Sequence, residues 1–152
     1  MHFRFEQTIA LPRARVFAFH EDPENLVLLH REWSTFRIIS HDGPLHEGSL
    51  VWVETTIAGI LPIVMGFEND LYEPPHRFGE HLFHGPFSKF EHIHEFDEAG
   101  TATVVRDLLE IELPRHYGGE VAMKVLIART LRRAFRSRGA ALLRLAEAGE
   151  IG

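Results

Sequence analysis

The chain changes its hydrophobic period once, and that single change limits the folds open to it. From about residue 34 to residue 113, short stretches alternate apolar and polar residues, the period of half-buried strands. The expected strands lie near 34–41, 48–58, 62–72, 77–84, 87–97 and 101–113. Asp42-Gly43-Pro44, Gly59, Pro74-Pro75, Gly85-Pro86 and Ala99-Gly100 punctuate them. Connections this short favour an antiparallel meander. After them Met123, Leu126, Ile127, Thr130, Leu131, Ala134, Phe135, Arg138, Ala141, Leu142 and Leu145 recur at three and four. That period predicts one long amphipathic helix, opening near Gly118-Gly119 and fraying at Gly149.

Ahead of the meander, His2 to Ile9 alternates as a first strand. Pro12 suits the first turn of a short helix, and Asp22-Pro23-Glu24 repeats the signal for a second one ending near His30. The expected class is α+β: a curved seven-stranded antiparallel sheet wrapped around a long C-terminal helix, with two short helices between strands 1 and 2. Such a helix covers the concave face of the sheet, and a pocket remains wherever it does not fill it.

With 152 residues the chain suits a single domain over 1–152. Its formal charge of −6 argues against nucleic acid as a partner, and no run reaches the roughly 18 apolar residues of a membrane span. There is no cysteine, which excludes disulfides, thiolate metal sites and a cysteine nucleophile. A cytoplasmic location is expected, and monomer and homodimer are equally open.

The chemistry concentrates in Phe90-x-His92-x-His94-x-Phe96. Residues two apart share a strand face, so two imidazoles project between two large aromatics toward the interior. Asp107 lies on the inward parity of the next strand. If that hairpin turns on Ala99-Gly100, His92 falls opposite Asp107; with a four-residue loop, Asp107 is diagonal to His92. Either register permits an imidazole–carboxylate hydrogen bond. Met65, Phe67 and Leu71 share one parity with Asn69, and Phe78, Glu80 and Leu82 another; both sets are candidates for the same interior. Whether Glu80 faces inward is undecided at this level.

Several strings resemble the SRPBCC superfamily, the helix-grip proteins that include START-like lipid carriers, Bet v 1-like plant proteins and polyketide cyclases. They are Leu11-Pro12-Arg13-Ala14-Arg15-Val16-Phe17, Glu21-Asp22-Pro23-Glu24-Asn25-Leu26, Pro74-Pro75-His76-Arg77-Phe78, Gly85-Pro86-Phe87 and Phe90 to Phe96, continued by Thr103, Asp107 and Leu113-Pro114. The closer likeness is to small bacterial ligand-binding members. Three positions depart from the pattern: Phe90 stands for tryptophan, Leu82 for a polar residue and Glu80 for aspartate. The resemblance implies a cavity between sheet and C-terminal helix that binds a small hydrophobic molecule: a lipid, an isoprenoid or a polyketide-like aromatic. Met65, Phe67, Asn69, Glu80, Phe90, His92, His94 and Asp107 are the candidate ligand-binding residues.

Three roles compete for the polar cluster. The histidines and Asp107 satisfy one another structurally, or they orient the polar end of a ligand, or one histidine acts as acid–base in a cyclase or dehydratase. His92 and His94 are close enough to share an ion, but without a His-Glu-x-x-His or a cysteine pair no metal or cofactor is expected. His2, His20, His30, His41, His46, His76 and His116 read mostly as surface or loop residues. The C-terminal helix carries Lys124, Arg129, Arg132, Arg133, Arg136, Arg138 and Arg144, read as a solvated face or one paired to the sheet rim. Ligand access is expected at the loops near Gly59–Pro62 and Gly85–Pro86.

Overall fold

The computed structural model describes residues 1–32, 36–57, 60–115 and 120–152. The strand-forming stretches become β1 (His2–Ile9), β2 (Arg37–His41), β3 (Leu50–Ile57), β4 (Leu61–Glu73), β5 (Arg77–His84), β6 (Lys89–Ala99) and β7 (Ala102–Glu112). The helices are α1 (Arg13–Glu21), α2 (Glu24–His30) and α3 (Glu120–Glu147). One antiparallel sheet runs β1-β7-β6-β5-β4-β3-β2, a meander from β2 to β7 with β1 added beside β7. The expected seven-stranded architecture is the observed one. The expectations at Ser34, Gly59, His116 and Gly118-Gly119 lie outside the described residues.

The strand pattern holds because alternation does. On β7 every second residue from Thr103 to Ile111 is buried. On β6 the same holds for His92, His94 and Phe96. The two short helices close one end of the concave face. Proline precedes each of them, and Asp22 Oδ1 accepts the Glu24 backbone N–H at 3.0 Å. Beneath α1 the core is aromatic. Phe17 meets Phe96 edge-on with centroids 5.2 Å apart and Phe78 at 5.8 Å. Phe96 is fully buried.

Helix α3 crosses the same face and makes its closest backbone approaches to α2 and β1. Its buried stripe is Ile127, Ala134, Arg138, Ala141 and Leu142, spaced at three, four and seven. Arg138 is therefore an inward residue. Of the other helix cations, Arg144 reaches Glu32 at 2.8 Å, whereas Arg129, Arg132, Arg133 and Arg136 are exposed and have no carboxylate partner among the described residues. Of the two readings open from sequence, a solvated or a rim-paired face, those four residues take the solvated one.

Two irregularities reset the expected faces. A bulge between Asn69 and Leu71 breaks the parity of β4, so Tyr72 rather than Leu71 turns toward Phe17, 6.3 Å away. The β6–β7 hairpin turns on Gly100-Thr101, not Ala99-Gly100. Gly100 takes the left-handed φ of +65° that the first turn position needs, and Ala99 pairs with Ala102. Hence His94 sits opposite Asp107 and His92 opposite Leu109, neither of the registers expected.

Because Phe96 packs against the rings of Phe17, His20 and Phe78 with no access to water, Phe96→Ala should lower the free energy of unfolding by about 3–5 kcal/mol. Chemical denaturation monitored by circular dichroism measures this; a loss below about 1 kcal/mol would mean that the cluster is not close-packed.

Candidate functional site

Between α3, α2 and the centre of the sheet lies a cavity of about 170 Å³. Its apolar wall comes from β3, β4 and β6, with Val51, Val53, Met65, Phe67 and Phe90, and from α3, with Ile127, Leu131, Ala134 and Phe135. Its ionisable side chains are Glu80, His92, His94, His20, His30 and Arg138; Glu80, His92, His94 and Arg138 stand in an unbroken chain of contacts, and His20 lies 6.3 Å from His94 between ring centroids. The β5–β6 register puts Glu80 directly opposite His92 and Phe78 opposite His94, which settles Glu80 as inward-facing.

Asp107 organises that cluster from behind. Its Oδ1 accepts from His92 Nε2 at 3.0 Å and from His94 Nδ1 at 2.8 Å. Arg138 Nη2 stands 3.7 Å from the same oxygen and 3.5 Å from His94 Nδ1. A guanidinium only donates, and His94 Nδ1 cannot accept from Arg138 while donating to Asp107. The shorter carboxylate contact decides the tautomer, with the His94 proton on Nδ1. The two imidazole rings lie side by side, centroids 3.8 Å apart, and His94 stacks on Phe78 at 4.4 Å.

The electrostatics divide the two histidines. Burial pulls the His92 pKa down, but hydrogen bonds to Asp107 and the nearby Glu80 carboxylate outweigh it and leave the pKa raised. Burial and the charge on His92 hold His94 well below the ordinary imidazole range, so it is neutral. Burial pushes the Asp107 carboxyl up, but Arg138 and the two imidazoles overcome this and hold it well below the ordinary carboxylate range. Two imidazoles side by side on one anion, one with its pKa raised and the other lowered, differ in their readiness to hold a proton beside the cavity.

Most of the expected site residues meet here: Met65, Phe67, Glu80, Phe90, His92 and His94 all line the cavity. Asn69 does not. Its Nδ2 donates to the carbonyl of His46 at 2.9 Å, tying down the 46–49 turn, because the chain after Pro44 folds back over β4. Asp107 stands behind the histidines and faces an adjoining groove of about 610 Å³ between β1 and α3. Two residues placed at the surface by sequence belong inside. His20 is 2% exposed, donates Nδ1–H to the Val16 carbonyl at 2.7 Å, and leaves Nε2 buried without a protein partner. His30 bonds the Leu26 carbonyl in the same way at 2.8 Å and also lines the cavity. The signal for His20 was its spacing of three and four from Phe17 and Val16 on α1. Near the expected access loops, Thr55, Thr56 and Ile63 lie on one side of the cavity and Phe87 on the other.

No protein-family model matches the chain, and no curated protein matches it. Solved structures do. TTHA0849 from Thermus thermophilus superposes with a TM-score of 0.78 at 20% identity, covering 98% of this chain and 99% of that one. The ZhuI aromatase/cyclase from a Streptomyces species gives 0.74 at 15% identity, over 97% and 93% of the two chains. Ms6760 from Mycobacterium smegmatis gives 0.73 at 17% identity, over 97% and 92%. The chain therefore has the helix-grip fold. That likeness extends over nearly the whole backbone and is one of fold. No described helix is long and apolar enough to cross a membrane.

Burial lowers the pKa of His20 to about 4, with the charge of Arg138 adding to the effect. In the unfolded chain the group titrates near 6.5. Between these values the unfolded state binds the extra proton, so folding stability falls as pH drops from about 6.5 to about 4, by roughly 3 kcal/mol at most from this group. His30, lowered to about 4 by burial, adds in the same direction. His92 has the opposite sign: its contribution is present below 6.5 and is lost as pH rises through its raised value. Urea unfolding across pH 4–6.5 should show a smaller loss for His20→Gln than for the parent; equal slopes would mean that His20 is not held neutral.

Proposed function

We propose that the protein binds a small hydrophobic molecule bearing one polar end, held in the cavity between the sheet and α3. One observation carries the reading: a cavity walled mostly by apolar side chains whose ionisable groups Glu80, His92, His94, His20 and Arg138 cluster together. An apolar cavity of roughly 150 Å³ is enough for a benzene-sized guest. At about 170 Å³ this one favours a compact ring-sized molecule, of the polyketide-like aromatic class, over a long-chain lipid. Phe67 and Phe90, with centroids 5.5 Å apart, and Met65 supply the wall, while His92 and His94 meet the polar end.

A second reading has a specific observation in its favour. His92 lies between two carboxylates, Asp107 at 3.0 Å and Glu80 at 3.5 Å, and faces the cavity. That arrangement suits an acid–base catalyst of cyclisation or dehydration, with His92 holding the proton and His94 accepting a hydrogen bond from substrate. The ZhuI aromatase/cyclase, similar in fold, is consistent with this class of reaction without assigning it.

Native mass spectrometry of freshly purified protein should show a co-purifying small molecule. Naphthol should raise the melting temperature, and palmitate should not. Ala134→Phe places a ring where the helix meets the cavity and should abolish the naphthol shift while leaving the protein folded. Naphthol binding unchanged in that variant would place the guest elsewhere. Replacing His92 or His94 by glutamine separates the two readings. A binder keeps much of its affinity, whereas a catalyst keeps binding and loses turnover.

A further inference from the structure

We propose that Glu80, His92 and His94 hold one divalent transition-metal ion, of the zinc or ferrous-iron class, at the polar cluster of the cavity. The β5–β6 pairing sets Glu80 directly across from His92, with His94 two residues along the same face. One ring nitrogen of each imidazole and one oxygen of Glu80 lie within 4.8 Å of one another. Ligand atoms each about 2.1 Å from a shared ion stand roughly 3–3.4 Å apart. Closure therefore asks the most widely spaced pair to approach by up to about 1.4–1.8 Å, shared between two side chains and within the reach of small rotations.

The surroundings are built for ligation rather than for simple ion pairing. Asp107 stands on Nε2 of His92 and Nδ1 of His94, so an ion would take His94 Nε2 and His92 Nδ1, releasing to solvent any proton held on the latter beside Glu80. A carboxylate on the far nitrogen of a metal-binding imidazole fixes its tautomer and raises its basicity, and here one carboxylate serves both rings. Arg138, 3.7 Å from Asp107, balances that charge, so Glu80 remains as the anion facing the ion. Glu80 Oε1 and His92 Nδ1 stand 3.5 Å apart, beyond the 2.7–2.9 Å or so of a charge-assisted hydrogen bond. The two groups face one another without closing on each other. Two imidazoles and one carboxylate leave coordination positions open toward the cavity, the mark of a reactive or ligand-binding site rather than a closed structural one. An oxygen donor on a bound molecule, such as a carboxylate or enolate, would fill them.

This site stands independently of the apolar guest, and the experiment keeps the two apart. The 152-residue protein is stripped with a chelator and titrated with cobalt(II), read by visible ligand-field absorption, and with zinc by calorimetry. One equivalent of each should bind. Glu80→Gln and His92→Gln should each weaken binding at least about 10-fold, and Asp107→Asn about 10–100-fold, with circular dichroism confirming that each variant is folded. His81→Gln, which removes an exposed imidazole 2.9 Å from Asp70, should change nothing. The parent titration alone keeps the proposal falsifiable if the buried variants fail to fold. Absence of the cobalt band in the parent, binding undiminished in folded Glu80→Gln, or binding lost in His81→Gln would each overturn it. A naphthol shift that survives in metal-free protein with no cobalt binding would sink the metal site and leave the cavity reading intact.

Discussion

A single buried carboxylate oxygen ties the molecule together. Asp107 Oδ1 on β7 takes hydrogen bonds from two rings on β6 and stands 3.7 Å from a guanidinium on α3. Sheet and helix therefore meet through a charge as well as through apolar contact. An ionised carboxylate in the interior is tolerated only when its partners are in place. Removing any one partner leaves the others unsatisfied. That requirement fixes the rotation of α3 about its axis, because only one face carries Arg138, and it fixes the β6–β7 register through His94. The cavity in front of the cluster follows from both: α3 is anchored at Arg138 and Leu142, and its span over β3 and β4 leaves space beneath it.

The fold was legible because it rests on periodicity, which each stretch of chain carries within itself. The inward pair His92 and His94, flanked by Phe90 and Phe96, was visible for the same reason. What escaped depended on relations between stretches. The Asp107 register hinged on which two residues turn the hairpin, and moving the turn one residue along from Ala99-Gly100 to Gly100-Thr101 made His94 the opposed ring. Asn69 had the inward parity, but the backbone around His46 folds over it and takes its amide. Leu71 lost its parity to a bulge that no alternation pattern announces.

Arg138 and His20 teach a different lesson. Arg138 fell in phase with the apolar stripe of α3, yet its charge grouped it with the solvated arginines. Position on the helix outweighed residue type, because an inward cation is tolerable when an inward anion waits for it. His20 sat in phase with Val16 and Phe17 on a helix too short for its periodicity to stand out. Glu80 completes the picture: its parity was noted, but its partner His92 lies on the neighbouring strand, and only the β5–β6 pairing brings them face to face.

The outer side of α3 has a consequence for how the molecule meets its surroundings. Arg129, Arg132, Arg133 and Arg136 stand exposed without a carboxylate ion pair among the described residues, on a chain whose formal charge is −6. Four exposed guanidinium groups spaced at three and four therefore make a local positive strip along one face of the helix. In dilute salt an approaching anion is drawn toward that strip from a distance, and at about 0.1 M salt the pull survives only within about a nanometre of the surface.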